Sequence, residues 1–186
     1  MAIFASGEGT NTQHLIDYFK GKDTKIALIV CNNPNANVLK RAAQHKIPTL
    51  LIDRKMYYNG DALLKELQKA KIDLIVCAGF LWKVLDNILR AFPKRIINVH
   101  PALLPKFGGK GMYGIHVHKA VVEAGEKESG ITVHYLNERY DEGEIIFQAK
   151  CKVTTVDTPE TLAEKIHVLE KEQFPKAVEE VLKSLS

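Results

Sequence analysis

Two stretches of this chain are apolar almost without interruption: Lys25–Cys31, which holds Ile26-Ala27-Leu28-Ile29-Val30, and Asp73–Ala78, which holds Leu74-Ile75-Val76-Cys77. A strand with one wet face alternates apolar and polar residues, because successive side chains point to opposite sides. Unbroken apolar runs of this length instead read as strands covered on both faces, as in parallel sheets. The segments between them carry helical periodicity. Asn11–Phe19 sets Leu15, Ile16 and Phe19 on one face, and Ala36–His45, Ala62–Ala70 and Val84–Ala91 also read as helices, the last closed by Pro93. Ala2–Ala5, Pro48–Ile52 and Arg95–Val99 complete the strands of this alternating part.

Repeated βα units predict an α/β fold: a Rossmann-like, mostly parallel sheet with helices on both faces. The pattern changes late. Val117–Ala124 reads as helix, then Ile131–Leu136 and Glu144–Lys150 read as two strands joined by a polar turn, an antiparallel addition. Thr158-Pro159-Glu160 opens the last helix, with Thr158 as N-cap and Pro159 at the first helical position. Leu162, Ile166 and Leu169 are its expected buried stripe, and Pro175 is expected to kink or split it.

With 186 residues and no linker or repeat, residues 1–186 are expected to form a single domain. A net charge of +4 suits anionic small molecules as well as nucleic acid and is too weak to choose between them, but no block of like charges resembles a nucleic-acid tail. Cys31, Cys77 and Cys151 are far apart and lack CxxC spacing, which argues against a disulfide framework or a zinc site. No apolar run approaches a membrane span, and Met1–Ala5 lacks the basic start of a signal peptide. A cytoplasmic location is expected.

Three segments carry chemistry. Ile96-Ile97-Asn98-Val99-His100-Pro101 sets an amide donor and an imidazole side by side at a strand end, where open α/β sheets keep their sites. Both side chains also suit plain capping of a polar loop. Ser6-Gly7-Glu8-Gly9-Thr10-Asn11 follows the first strand and opens the first helix. Its glycines let backbone N–H groups approach an anion at a helix N-terminus. Thr12 stands where a dinucleotide fingerprint needs a third glycine, so one phosphate fits better than a pyrophosphate. The same residues also suit a tight turn capped by Thr10 or Asn11. Asp141 precedes a strand in Tyr140-Asp141-Glu142-Gly143, and either turns its own backbone or orients an imidazole. The segment from Lys106 to Gly114, with Gly108, Gly109, Gly111 and Gly114, reads as a flexible basic loop.

Together these segments resemble the formyltransferase fold family, and within it the glycinamide ribonucleotide formyltransferases of purine synthesis. The resemblance covers the whole chain. It rests on Ser6–Asn11, Ala78-Gly79-Phe80-Leu81, Ile97–Lys106, and Gly130-Ile131-Thr132-Val133-His134-Tyr135 running on to Asp141-Glu142-Gly143. It implies formyl transfer from 10-formyltetrahydrofolate, as co-substrate, to the amine of glycinamide ribonucleotide, with no metal. Asn98, His100 and Asp141 fall on the family's catalytic positions, with Asp141 raising the His100 pKa. Gly7, Glu8, Gly9, Thr10 and Asn11 fall on its phosphate turn and Glu170 on a nucleotide contact. Phe80, Leu81, Trp82, Lys83, Val84 and Leu85 fall on its folate pocket. His118 and Lys106 are further candidates to line the site. Small-molecule substrates, no nucleic acid, no membrane, and a monomer or homodimer are implied.

Departures from the family pattern lie in the longer glycine loop, in Trp82 and Lys83 where an Arg often follows a Met, and in His116 beside His118. No third ligand accompanies that histidine pair, so no metal site is expected. Two relatives share the Asn-x-His…Asp set. Methionyl-tRNA formyltransferase carries an added C-terminal domain and formyltetrahydrofolate deformylase an N-terminal regulatory one; neither is expected here. A binding module without turnover is the remaining alternative, and the filled catalytic positions rank it below an enzyme.

Overall fold

The computed structural model describes residues 1–58 and 61–185. In chain order the elements are β1 (Ala2–Ala5), α1 (Thr10–Phe19), β2 (Leu28–Cys31), α2 (Asn37–Gln44), β3 (Thr49–Leu51), α3 (Arg54–Tyr58), α4 (Ala62–Lys69), β4 (Ile75–Cys77), α5 (Asp86–Ala91), β5 (Ile96–His100), α6 (Ile115–Glu123), β6 (Glu128–Tyr135), β7 (Ile145–Lys152) and α7 (Pro159–Ser184). The strands form one seven-stranded sheet in the order β3-β2-β1-β4-β5-β6-β7, mostly parallel, with one antiparallel pair at its end and helices on both sides. Two compact units divide the chain, Met1–Ile97 and Asn98–Ser186.

In the first unit, β1 pairs in parallel with β2 on one side and β4 on the other, and β2 pairs in parallel with β3. All residues of β1, β2 and β4 are buried, which is why their sequences are apolar without alternation. Fully burying one such aliphatic side chain contributes about 1.5–3 kcal/mol. The helices cover them with short stripes: Leu15, Ile16 and Phe19 on α1, Val38 and Ala42 on α2, Leu63 and Leu67 on α4. β3 is short, and Thr49 and Leu51 on it are exposed, as suits a sheet edge. Regular pairing in β2 begins at Leu28, three residues later than the apolar run suggests, because Ala27 donates instead to the Met1 carbonyl. The short helix α3 has no sequence expectation behind it.

In the second unit, β6 and β7 pair antiparallel from Glu128↔Lys152 to His134↔Ile145, with a register shift between Val133 and His134. Thr158 caps α7: its Oγ1 accepts from the Thr161 N–H at 3.3 Å, and the Thr161 Oγ1 accepts from the Thr158 N–H at 2.9 Å. α7 continues through Pro175 as one 26-residue helix rather than two. Pro175 is buried along with Phe174, Ala177 and Val178, so apolar packing offsets the lost backbone bond. Its buried stripe also differs from the expected one. Leu162 and Ile166 are buried, but Leu169 is half-exposed and Glu170 takes the inward position. No helix among the described residues is long and apolar enough to cross a membrane.

Candidate active site

Asn98 and His100 lie two apart on β5, so their side chains leave the same face. His100 is buried. Its Nε2 is 2.8 Å from the carbonyl oxygen of Phe107, and its Nδ1 is 3.6 Å from Oδ2 of Asp141. A carbonyl oxygen only accepts, so Nε2 carries a proton. Asp141 sits in the turn between β6 and β7 with φ at 55°, a left-handed conformation that Asp tolerates. Its Oδ2 accepts from the Gly109 N–H at 2.9 Å, and its Oδ1 lies 3.6 Å from Nε2 of His134. His134 is fully buried, and its Nε2 is 3.2 Å from Nδ2 of Asn98. A carboxylate between two imidazoles, with an amide at one end, therefore forms a continuous polar cluster within the second unit.

The surrounding sequence explains how the cluster is held. Thr132 Oγ1 donates to the Ala102 carbonyl at 2.7 Å and accepts from the Leu104 N–H at 3.0 Å, pinning the chain that leaves His100. Gln148 donates to Thr132 Oγ1 at 2.9 Å and to the Leu104 carbonyl at 3.0 Å. A Cβ at Gly143 would collide with the Tyr135 carbonyl oxygen, so the glycine of Asp141-x-Gly143 lets the turn close on β6. Phe107, Gly108 and Gly109 are equally tied in. The space beside Gly108 is filled, with Leu104 Cδ2 at 2.6 Å and Asp141 Cβ at 3.1 Å from where its Cβ would stand.

Burial governs the electrostatics of His100. It pushes the pKa below the ordinary value of 6.5, although Asp141 and the Phe107 carbonyl pull upward; His134 adds to the lowering. This corrects the expectation of a raised pKa: desolvation of a nearly inaccessible ring outweighs one carboxylate at 3.6 Å. For Asp141, burial favours the neutral acid, but the neighbouring His134 and His100 rings and the bond from the Gly109 N–H together hold its pKa below the usual value. His118, buried on α6, is pushed down to about 4, first by burial, then by His167 and His100.

The other sequence candidates are placed as follows. Lys106 is exposed and pairs with Glu126 at 2.7 Å. Glu170 is buried on α7. Gly7–Asn11 lies in the first unit. Gly9, with φ at 69°, is the N-cap of α1, where Thr10 or Asn11 was the alternative, and no side chain caps the helix. α2 fastens this turn: Asn37 Nδ2 donates to the Glu8 carboxylate at 2.9 and 3.0 Å, and Arg41 Nε to the Glu8 carbonyl at 2.8 Å. Phe80 packs edge-on against Phe4 at 5.2 Å. Trp82 lies 5.0 Å from Tyr57 and is stacked with Tyr58 at 6.4 Å. Leu81 and Lys83 are exposed, Val84 is buried, and Leu85 caps α5. The Lys83 carbonyl accepts from the Tyr57 hydroxyl at 2.7 Å.

A family model described as formyl transferase matches residues 1–178. The chain belongs to the formyl transferase family. This formyl transferase is similar to phosphoribosylglycinamide formyltransferase of Bacillus subtilis, 36% identical over 187 residues, covering 97% of this chain and 93% of that one. The chloroplastic phosphoribosylglycinamide formyltransferase of Arabidopsis thaliana is 39% identical over 173 residues, 89% of this chain; the chain spans 59% of that relative's length. The crystal structure of phosphoribosylglycinamide formyltransferase from Bacillus halodurans superposes with a TM-score of 0.89 at 34% identity, covering 100% of this chain and 96% of that one.

Two features of this formyl transferase carried no role in the sequence reading. His134 lies inside the Gly130–Tyr135 motif, but nothing in the spacing says that a strand-end histidine turns toward Asn98. Tyr57 and Tyr58 fall on α3, too short to show a helical period, so their ring contacts with Trp82 were not legible.

Proposed function

We propose that the chain transfers the formyl group of 10-formyltetrahydrofolate to the amine of glycinamide ribonucleotide, in de novo purine synthesis. The observation that carries this reading is the cluster of Asn98, His100 and Asp141 in a chain of the formyl transferase family. The amine nitrogen attacks the formyl carbon and forms a new C–N bond. The bond from that carbon to folate N10 then breaks, and the proton lost by the amine is taken up at N10. In between, the formyl oxygen carries negative charge. Asn98 supplies an amide N–H donor for that oxygen, and the His100 Nε2–H, which the Phe107 carbonyl holds at 2.8 Å, becomes a second donor once the formyl oxygen displaces that carbonyl; such donors act strongly where water is excluded. Asp141 favours the protonated, oriented state of His100. His100 then relays the proton, directly or through a water.

Gly7, Glu8, Gly9, Thr10 and Asn11 receive the nucleotide phosphate, with Glu170 as a further nucleotide contact. The folate lies along Phe80, Leu81, Trp82, Lys83, Val84 and Leu85, and His118 and Lys106 line the site. The cytoplasm is the compartment that fits these substrates. The test is turnover: the purified chain is mixed with glycinamide ribonucleotide and 10-formyltetrahydrofolate, and tetrahydrofolate and formylated nucleotide are measured. Stoichiometric formation of both supports the reading, and absence of both from a folded protein overturns it.

A further inference from the structure

His134 occupies a position that the catalytic trio alone does not explain. It is fully buried, placed at the register shift of β6, and bordered by the turn that only Gly143 allows to close. Its Nδ1 lies 3.0 Å from the carbonyl oxygen of Tyr135. That oxygen can only accept, so the proton of a neutral ring sits on Nδ1 and Nε2 keeps a bare lone pair. The nearest polar partner of Nε2 is Nδ2 of Asn98 at 3.2 Å, whereas Oδ1 of Asp141 at 3.6 Å is beyond hydrogen-bond reach.

We propose that His134 is a positioning residue for the transfer reaction: its Nε2 accepts one N–H of Asn98 and so fixes which way the amide faces. The proposal rests on the catalytic reading of Asn98 given above. The terminal torsion of an Asn side chain is broad and roughly two-fold, so an unanchored amide exchanges its donor and acceptor positions. With one N–H held by His134, the second N–H and Oδ1 take fixed directions. An imidazolium in the same place would donate from Nε2 and turn the Asn98 oxygen toward itself. The neutral tautomer is thus the one that matches the amide orientation observed.

The experiment has two arms on the full chain. The first is 15N-resolved NMR of the His134 ring at the pH of the turnover assay. The expected result is a neutral Nδ1–H tautomer; an Nε2–H tautomer or an imidazolium overturns the proposal. This arm needs no turnover, so its failure is distinct from failure of the formyl-transfer reading. The second arm compares His134→Phe, which removes the lone pair, with His134→Gln, whose amide oxygen can accept from Asn98. His134→Phe is expected to lower kcat by roughly 10- to 100-fold with both KM values within about twofold. His134→Gln is expected to recover most of that loss. Equal loss in the two variants, or a fall confined to thermal stability, overturns the positioning role. If His134→Phe fails to fold, the tautomer measured in the unmodified protein decides.

Discussion

The Phe107 carbonyl oxygen accepts from Nε2 of His100 at 2.8 Å, so the ring nitrogen turned away from Asp141 is engaged by the start of the glycine-rich segment. The next two residues of that segment touch Asp141 as well, Gly108 by close approach and Gly109 through its N–H. Phe107–Gly109 is therefore part of the scaffold that sets the distance between the imidazole and the carboxylate.

Gly108→Ala tests that scaffold. The added methyl would stand 2.6 Å from Leu104 Cδ2 and 3.1 Å from Asp141 Cβ, so one of them must move. The expected outcome is a fall in kcat of roughly 10- to 100-fold, because a small displacement misaligns the reacting groups. Thermal unfolding should show a loss of about 1–3 kcal/mol from overpacking. A variant with wild-type kcat would show that this contact does not hold Asp141.

The proposed phosphate-binding role of Gly7–Asn11 is tested at Gly7 rather than Gly9. A Cβ at Gly9 would lie 2.7 Å from Val38 Cβ and 2.9 Å from its Cα, at a left-handed φ of 69°. Gly9→Ala is therefore expected to destabilise the fold by about 1–3 kcal/mol, through strain as well as contact. A Cβ at Gly7 meets nothing within 4 Å. Gly7→Val should leave thermal stability nearly unchanged and raise the KM for glycinamide ribonucleotide while sparing the KM for the folate. Equal changes in the two KM values would take the turn out of the nucleotide site.

His118 predicts an acid-side loss of stability. Its folded pKa is about 4, below the ordinary 6.5, so the unfolded chain takes up a proton before the folded one does. Above pH 6.5 both states are neutral and the contribution is complete. Between 6.5 and 4 stability falls by on the order of 1 kcal/mol per pH unit, and below 4 the effect levels off. His100, also lowered, acts with the same sign. Urea unfolding across this range should therefore give a shallower acid slope for His118→Gln than for the unmodified protein. Parallel slopes would mean that His118 is already charged in the folded state.

The parallel half of the fold was legible because burial on both faces leaves an unmistakable mark, as in Leu28–Val30 and Leu74–Cys77. The cap at Thr158 was equally plain, since Thr-Pro is a local signal whose geometry needs no tertiary information. That α7 runs on unsplit through Pro175 was not legible, because the effect of a helix-interior proline depends on what packs against it. The candidate trio could be named by resemblance, but the sign of the His100 pKa shift depends on desolvation, which no spacing encodes. For the same reason the role proposed for His134 was not legible: the 3.2 Å approach of its Nε2 to Asn98 is a tertiary contact.

Asn98→Ala separates chemistry from binding. If the amide serves the oxyanion, kcat should fall by roughly two to three orders of magnitude with little change in either KM. Steady-state kinetics with both substrates gives the answer, and a variant retaining most of its kcat would remove Asn98 from that role.

The Asp141→Asn variant tests the central claim most directly, through paired measurement of kcat and of the His100 titration by NMR. In the unmodified protein His100 should titrate below 6.5, because burial outweighs the pull of Asp141. The variant keeps the side-chain shape and removes the charge, so the titration should move lower still, and kcat should fall by about 10²- to 10⁴-fold with nucleotide affinity unchanged. A His100 titration that stays in place, or a kcat that survives the substitution in a folded protein, would contradict the account.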